Sequence, residues 1–388
     1  MNQPTSPSSG IPAAVAASTL NQRDRFAAAY SVLERAIEER AFPGAAFGVL
    51  LDGKIHALDG VGRFTYDPAS PAVTPSTVYD LASVTKVVAT TSAAMLLYDR
   101  GRVDLDQPLG EILPAFVIGM PSPRERCEVT IRTLLAHSSG LPAYARLFET
   151  HSTGSALLNA CLRMPLETPT NTRSEYSDIG FILLGKALEV LAGESLDSFC
   201  LRGVFAPLGM TATRYKPPQS WRDFIPPTVE DTEFRRRVVQ GEVHDENCFV
   251  LGGVSGHAGL FSSIPDLLAY ASCILSALVS SKRDGLDGSP LFQPTTLTLF
   301  ASRQNPPADA SRALGWDTPS GESSSGRHFS PHSIGHLGYT GTSLWIDLDR
   351  RLAIALLTNR TWPDRSTQAI RAVRPRFHDA VHQALALT

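Results

Sequence analysis

The chain has 388 residues, of which 43% are hydrophobic and 19% are charged, so it can bury a large core and we expect two lobes. The formal net charge of -3 gives no reason to expect a polyanionic partner, and the short basic clusters Phe234–Val238 and Ile370–Phe377 predict solvated faces and no nucleic-acid binding. No apolar run reaches the ~20 residues that a membrane-spanning helix needs.

The N-terminal segment and the cysteines bear on the compartment. Residues 1–20 are rich in Ser, Pro and Ala and have no basic segment ahead of a short Ala/Val stretch. They therefore do not resemble a secretory signal, and we predict a disordered leader. The cysteines are odd in number, widely spaced and without a Cys-x-x-Cys pair, which predicts reduced, mostly buried thiols in a cytoplasmic protein. They are Cys127, Cys161, Cys200, Cys248 and Cys273.

Both ends of the chain carry strands and amphipathic helices. Apolar residues at helical spacing predict a helix from about Asn21 to Arg40, and two apolar runs around Asp52-Gly53 predict a β-hairpin. A second pair of strands is predicted within Thr342–Asn359, and a last helix after Pro375. We therefore expect one antiparallel sheet, built from both termini and flanked by helices.

Between these ends the pattern changes to helices and loops. This predicts an α/β (α+β) fold in which an all-helical lobe, residues 83–249, is inserted into a sheet domain formed by residues 21–82 and 250–388. Two stretches rich in Pro or in Gly and Ser, Lys216–Pro227 and Ser302–Ser333, are predicted to be surface connections. The predicted helices of the lobe are Ser83–Arg100, Thr130–His137, Ser155–Arg163, Gly180–Ala192 and Asp197–Ala206.

The first of these helices begins with Ser83-Val84-Thr85-Lys86 and is apolar afterwards. Residues three apart share one helix face, so we expect the Ser83 hydroxyl and the Lys86 amine to lie one turn apart. A serine hydroxyl needs a neighbouring base to act as a nucleophile, and burial would lower the pKa of Lys86 so that it could be that base. The alternative is a helix-capping Ser83 and a solvated Lys86, and the motif alone does not decide between the two.

Two more polar motifs follow along the chain. Tyr176-Ser177-Asp178 precedes an apolar helix, and His336-Leu337-Gly338 enters a predicted strand. With Ser83-Val84-Thr85-Lys86 they resemble the three signatures of serine β-lactamases and penicillin-binding proteins. The closest likeness is to class C β-lactamases and the related esterases and D-Ala-D-Ala carboxypeptidases. The likeness extends from about Pro43 to Arg360 and includes the connecting segments Thr130–Pro142, Val204–Tyr215 and Gly252–Tyr270.

The resemblance implies a serine hydrolase that works through an acyl-enzyme on Ser83, with no metal ion and no organic cofactor. It implies that Lys86 and Tyr176 share the transfer of the serine proton, and the residues do not decide which of the two is the base. It also implies that the backbone N–H groups of Ser83 and Tyr339 form the oxyanion hole. The active site is expected at the interface of the two lobes.

The resemblance also implies substrate-binding roles for Asp178, His336 and Gly338. Asp178 lies where class C enzymes usually have Asn, and an acid there would favour a charged lysine and shift proton-acceptor duty towards Tyr176. The alternative is that Asp178 caps the helix that follows it. Gly338 would allow the strand backbone to approach a ligand closely.

Leu337 departs from the family pattern. Relatives that hydrolyse β-lactams or D-Ala peptides usually have Thr or Ser there, which helps to hold the substrate carboxylate, and His336 is mostly neutral near pH 7. We therefore expect an esterase acting on small acyl esters. The alternatives are a D-Ala-D-Ala carboxypeptidase or D-aminopeptidase, a weak class C-type β-lactamase, and a penicillin-sensor-like protein without turnover. No partner is expected beyond a small ester or amide, and the oligomeric state stays open.

Two other polar clusters are candidates for function. Val243–Asn247 is densely polar and would either line a cleft or form an exposed turn, and the pattern favours the turn. His378 and His382 have the i, i+4 spacing of a zinc helix but lack the glutamate of His-Glu-x-x-His, so we do not expect a metal there.

Overall fold

The computed structural model describes residues 21–278, 290–308 and 310–387, so the predicted leader lies outside the described residues. The strands are β1 (Gly44–Leu51), β2 (Lys54–Gly62), β3 (Tyr79–Asp80), β4 (Arg214–Tyr215), β5 (Val229–Asp231), β6 (Arg237–Val239), β7 (Leu260–Ser262), β8 (Ser333–Leu337), β9 (Ser343–Asp347) and β10 (Leu352–Thr358). The largest sheet has the order β2-β1-β10-β9-β8 with every neighbouring pair antiparallel. This confirms the prediction of one antiparallel sheet built from both termini.

The β1–β2 hairpin closes at the predicted turn. Asp52 and Gly53 both have positive φ, 50° and 74°, which is the pairing of a two-residue turn whose twist matches that of the flanking strands. Smaller ladders join β3, β7 and β4, and join β5 to β6.

The five-stranded sheet lies between two layers of helices. Since successive side chains of a strand point to opposite faces, Phe47 faces the helices Ala27–Glu38 and Ile370–Ala384, which also contact each other. The Phe47 ring makes edge-on contacts with Tyr30 and Phe377, at centroid distances of 5.2 and 5.4 Å.

The helix Ile264–Ala277 covers the opposite face of the sheet. Gly48 faces this helix, and a Cβ atom at Gly48 would clash with Ile264 and Leu268. The absence of a side chain on β1 therefore lets the helix approach the sheet closely.

The helical segments follow the predicted positions, with differences at their ends. The α-helices are Gln22–Arg25, Ala27–Glu38, Ser92–Asp99, Leu109–Ile112, Pro123–Cys127, Ile131–Leu135, Gly154–Arg163, Asp178–Ala192, Leu196–Cys200, Glu246–Val250, Ile264–Ala277, Pro294–Ala301 and Ile370–Ala384. The 3₁₀ turns are Ala82–Val84, Pro114–Phe116, Leu147–Glu149 and Gln219–Phe224, and the π-helical segments are Lys86–Thr91 and Leu201–Phe205. Within these described residues, no helix is both long and apolar enough to cross a bilayer.

Several predicted helices differ from the observed ones. The helix predicted from Asn21 to Arg40 is interrupted at Phe26, and the one predicted from Asp197 to Ala206 is an α-helix followed by a π-helical segment. The segment predicted as one helix from Ser83 to Arg100 consists of a 3₁₀ turn, a π-helical segment and an α-helix in succession. The last helix begins at Ile370 rather than after Pro375, and Pro375 lies inside it.

Several segments predicted to be at the surface contain buried residues. In the Ser302–Ser333 stretch, Leu314 and Trp316 are fully buried, because the stretch folds back over the core. Arg235 and Arg374, from the two basic clusters, are also buried, so these clusters are not simply solvated faces. Four of the five cysteines are buried as predicted, and Cys127 is exposed.

We propose that the chain divides into the two lobes inferred from its sequence, residues 21–82 and 250–388 forming one and residues 83–249 the other. The five-stranded sheet falls wholly in the first range, and helices dominate the second.

Replacing Phe47 with Ala removes the ring that joins the sheet to both terminal helices. We expect the free energy of unfolding to fall by about 3–5 kcal/mol, since the deletion leaves a cavity in a close-packed layer. Urea unfolding followed by circular dichroism measures this loss. The control is Ile118→Ala, whose side chain is 72% exposed and whose loss should stay within about 0.5 kcal/mol. Equal losses for the two variants would contradict the assigned packing.

Candidate active site

A cavity of about 690 Å³ brings the three sequence motifs together. Its lining includes Ser83 from the 3₁₀ turn, Tyr176 from the segment before the helix Asp178–Ala192, and His336 from the edge strand β8. The other predicted site residues on the wall are Asp178, Gly338 and Tyr339. Lys86 is fully buried directly beneath the cavity floor.

The Lys86 amine is the hub of the hydrogen bonds at this floor. Its Nζ donates to the Ser83 Oγ at 3.1 Å, to the Asp178 Oδ1 at 2.6 Å and to the His257 carbonyl at 3.0 Å. The same nitrogen lies 4.8 Å from the centroid of the Tyr176 ring. Three acceptors for three ammonium protons fit a charged lysine, since the neutral amine has only two hydrogens to donate.

The charge of Lys86 is set by two opposing effects. Burial alone would lower the pKa of Lys86, but the charges and hydrogen bonds of Asp178 and Tyr176 outweigh it and raise the pKa above its usual value. The raised pKa is the effect that an acid at position 178 is expected to have on the lysine, and it opposes the lowering expected from burial alone. Burial and the charge of Asp178 raise the pKa of Tyr176, and hydrogen bonding to Lys86 and Ser83 opposes this rise.

The Ser83 turn is held in a strained conformation. Ala82 has a φ of 47°, a left-handed conformation that costs a non-glycine residue about 1–3 kcal/mol. The buried Asp80 carboxylate accepts hydrogen bonds from the Ala82 N–H at 2.8 Å and from the His244 N–H at 2.6 Å. Burial raises the pKa of Asp80 to about 6. The carboxylate therefore fixes the turn just before Ser83 and ties it to a second segment.

Tyr176 is positioned by a residue that the motif search missed. The His137 ring packs on Tyr176 with centroids 4.8 Å apart, and its Nδ1 accepts a hydrogen bond from the Ser177 N–H at 3.0 Å. Burial lowers the pKa of His137 well below its usual value, so the ring is neutral. Ser177, not Asp178, caps the following helix, since its hydroxyl accepts from the Gly180 N–H. The capping alternative for Asp178 is therefore wrong.

The turn after β8 faces Ser83. Within the described residues, the N–H groups of Ser83 and Tyr339 have no hydrogen-bond acceptor. Two threonines fasten this turn to the serine segment: the Thr340 hydroxyl donates to the Asp80 carbonyl and the Thr342 hydroxyl to the Leu81 carbonyl, both at 2.8 Å.

Gly338 is required by the close approach of these two segments. A Cβ atom there would clash with the Leu81 carbonyl and with the Thr342 hydroxyl. A larger residue would push the turn away from Ser83.

His336 is buried and neutral in this site. Its Nδ1 donates to the Leu337 carbonyl at 2.8 Å, and burial lowers its pKa well below the usual value. The ring therefore carries no positive charge that could attract an anionic substrate. Leu337 lies on the cavity wall beside it.

The polar cluster Val243–Asn247 is not an exposed turn. Its residues His244, Asp245 and Glu246 line the cavity, and Asn247 is fully buried. The Asp245 carboxylate accepts a hydrogen bond from the His257 Nε2 at 2.9 Å. Burial alone would raise the pKa of Asp245, but the charge and hydrogen bond of His257 outweigh it and lower the pKa to about 2. The sequence favoured the turn because hydrophilic residues are usually exposed, whereas these have partners from distant segments.

Arginines from distant segments also line the cavity, and sequence patterns did not identify them as site residues. The Arg312 guanidinium lies 5.5 Å from the Tyr176 ring centroid, and its nearest carboxylate, that of Asp317, is 3.8 Å away. The helical spacing of Arg371 and Arg374 could have pointed to a shared helix face. The arginines on the wall are Arg146, Arg312, Arg360, Arg365, Arg371 and Arg374.

Neither His378 nor His382 lines this cavity. Both are buried in the last helix, where the Nδ1 of each donates to a backbone carbonyl. Among the described residues, no three His, Cys, Asp or Glu side chains are grouped so as to hold a metal ion.

Replacing Asp80 with Ala leaves the Ala82 and His244 N–H groups without their acceptor. Because both groups are buried, we expect the free energy of unfolding to fall by about 2–3 kcal/mol, as measured by urea denaturation at pH 7.5. Asp223→Ala, at an exposed position, is the matched control and should change stability little. An Asp80→Ala variant as stable as this control would show that the carboxylate does not hold the turn.

The β-lactamase family model matches residues 30–375. The chain is 33% identical over 352 residues to an N-acetylmuramyl-L-alanine amidase of Bacillus subtilis, covering 82% of this chain and 77% of that protein. It is 31% identical over 314 residues to a putative D-alanyl-D-alanine carboxypeptidase of Salmonella typhimurium, covering 74% and 70%.

Solved structures show the same fold. EstCE1, described as a hydrolase with promiscuous acyltransferase activity, aligns with a TM-score of 0.73 at 19% identity, covering 93% of this chain and 99% of that one. A penicillin-binding protein homologue from Caulobacter crescentus aligns with a TM-score of 0.70 at 20% identity, covering 93% and 98%. The chain therefore belongs to the β-lactamase family of serine hydrolases, whose fold it shares with penicillin-binding protein homologues.

Proposed function

We propose that this protein hydrolyses its substrates through an acyl-enzyme formed on Ser83. The observation that carries the proposal is the hydrogen bond from the buried Lys86 Nζ to the Ser83 Oγ, at the floor of a cavity open to small molecules. Tyr176 lines the same cavity, and the centroid of its ring lies 4.8 Å from the Lys86 Nζ. A hydroxyl placed against a coupled pair of titratable groups is the arrangement that nucleophilic catalysis requires.

The proton of Ser83 passes to the coupled pair of Lys86 and Tyr176. With the pKa of both groups raised, the pair is fully protonated at neutral pH and must lose one proton before it can accept another. Asp178 stabilises the ammonium form of the lysine, so the phenolate of Tyr176 is the acceptor that faces Ser83. The reaction rate therefore rises with pH above neutrality as the deprotonated pair becomes populated.

The oxyanion of the tetrahedral intermediate binds to the N–H groups of Ser83 and Tyr339. Both lack acceptors in the described part of the chain, and both belong to segments that Thr340 and Thr342 hold together. Donors that are fixed before the reaction stabilise the transition state by about 3 kcal/mol each. The intermediate then collapses: the bond to the leaving alcohol or amine breaks, that group takes the proton held by the Lys86–Tyr176 pair, and water subsequently hydrolyses the acyl-enzyme.

Small acyl esters are the substrate class that we propose first. Leu337 offers no hydroxyl to a substrate carboxylate, and the neutral His336 offers no charge. An ester also has a better leaving group than an amide. Its departure therefore depends less on protonation by the Lys86–Tyr176 pair, in which Asp178 holds the lysine in an ion pair.

A second candidate is an amide with a free carboxylate. Arg312 and Arg371 on the cavity wall could hold such a group by bidentate hydrogen bonds. The names of the two relatives, an amidase and a putative carboxypeptidase, favour the same class.

A fluorophosphonate probe tests the acyl-enzyme directly. We expect peptide mass spectrometry to locate the label on Ser83, with labelling abolished in Ser83→Ala. Lys86→Ala should be labelled almost as poorly, because groups that act as a unit lose activity together. The labelling rate of the wild type should rise from pH 6 to pH 9. Ser302→Ala, at an exposed serine, is the matched control. A label elsewhere, or a rate that falls as pH rises, would contradict the mechanism.

Substrate preference is tested with three compounds under one set of conditions. These are p-nitrophenyl butyrate, an N-acyl-D-alanyl-D-alanine peptide and a chromogenic cephalosporin. We expect turnover of the ester, and Leu337→Thr should raise cephalosporin turnover by roughly tenfold, since it restores one hydrogen bond to the carboxylate.

Peptide hydrolysis without ester hydrolysis would favour the second candidate. A stable adduct on Ser83 without turnover of any compound would instead identify a sensor-like binding protein.

A further inference from the structure

Two buried arginines lie behind the turn that carries the Tyr339 N–H. Arg374, from the last helix, and Arg360, after β10, are 5% and 4% exposed. Within the described residues, neither has a carboxylate within 4.0 Å of its guanidinium nitrogens, whereas the neighbouring Arg365 is paired with Glu246. Burying a cation without a counter-ion destabilises a folded protein. Stability therefore does not explain why these two arginines are buried here.

Backbone carbonyls are the acceptors of both guanidinium groups. Arg374 Nη2 donates to the Gly338 carbonyl at 2.7 Å and to the Thr342 carbonyl at 2.8 Å. Arg360 Nε donates to the Tyr339 carbonyl at 2.6 Å, and its guanidinium lies 4.2 Å from the centroid of the Tyr339 ring.

The Gly338 carbonyl and the Tyr339 N–H belong to the same peptide group. A cation that hydrogen-bonds the carbonyl oxygen draws electron density from the peptide and makes its N–H a stronger donor. The proposed oxyanion forms on the other side of this peptide, at the Tyr339 N–H. The guanidinium of Arg374 is therefore separated from the developing negative charge by a single amide.

The two arginines also repel each other. Burial and the charge of Arg360 lower the pKa of Arg374 to about 9, so the group is still charged at neutral pH. Two like charges held close together in a region of low dielectric create a positive potential that a new anion nearby would relieve.

We infer that Arg374, supported by Arg360, is a positioning residue. It polarises the Gly338–Tyr339 peptide and provides a positive charge that balances the oxyanion. This inference rests on the proposed acyl-enzyme at Ser83. When Ser83 Oγ bonds to the carbonyl carbon, the π electrons of the C=O bond move onto its oxygen and the serine proton passes to the Lys86–Tyr176 pair. The negative oxygen is then the counter-charge that the described carboxylates do not provide for these two cations.

The role predicts an effect on the transition state and little effect on substrate binding. In R374Q the charge is lost while an amide N–H can still reach a carbonyl, so kcat should fall roughly tenfold to a hundredfold with KM almost unchanged. In R374K the charge remains, and kcat should stay within about threefold of the wild type. R376Q, at an exposed arginine of the same helix, is the matched control and should behave as the wild type.

The Kd of an arylboronic acid distinguishes this role from a merely structural one, because the compound forms a tetrahedral anion on a reactive serine. Its Kd should rise in R374Q by about the same factor as kcat falls, while the Kd of a neutral substrate analogue stays constant. Urea unfolding confirms that each variant is folded. If R374Q does not fold, R360Q removes the supporting charge and should raise the boronate Kd in the same direction, and an unchanged Kd there would overturn the inference.

The possible failures are distinguishable. A wild-type protein that forms no boronate adduct on Ser83 would overturn the proposed function and the inference together. A wild-type adduct on Ser83 with an unchanged Kd in R374Q would overturn the inference alone. Equal losses in R374Q and R374K would assign Arg374 to packing and would also overturn it.

Discussion

The buried ammonium of Lys86 is the constraint on which the site depends. A charged group with no exposure to water must have every proton accepted and its charge balanced. The acceptors come from three parts of the chain: Ser83 one turn away, Asp178 at the start of a long helix, and the His257 carbonyl. Satisfying this one nitrogen therefore fixes the relative positions of segments that are far apart in sequence, and it places a hydroxyl and a phenol beside each other.

A second set of constraints holds the serine turn against the sheet. The strain at Ala82 is supported by the Asp80 carboxylate, and the turn after β8 is held by hydroxyl groups of Thr340 and Thr342. Since Gly338 permits the close approach, the N–H groups of Ser83 and Tyr339 are fixed in place before any substrate binds. Preorganisation of this kind is the usual source of electrostatic catalysis, because no reorganisation is needed when the charge develops.

The sequence predicted the sheet, the family and the residues that meet at the cavity, because hydrophobic periodicity and short motifs are local signals. It did not predict what depends on distant contacts. The cluster Val243–Asn247 is polar and yet buried, and Arg374 is charged and yet buried, since each finds partners from other segments. For Lys86 the sequence offered both opposing influences, burial in an apolar helix and the acid at Asp178, but which of them prevails depends on how close the fold brings the two groups.

The pKa of Lys86 tests the central claim most directly. It can be measured from the pH titration of the lysine ¹³Cε resonances in isotopically labelled protein, with Lys86→Arg to assign the signal. The ion pair with Asp178 predicts that Lys86 titrates above 10.5, its ordinary value, and remains charged throughout the neutral range. A Lys86 that titrated near or below neutrality would contradict the account, because the amine itself would then be the base.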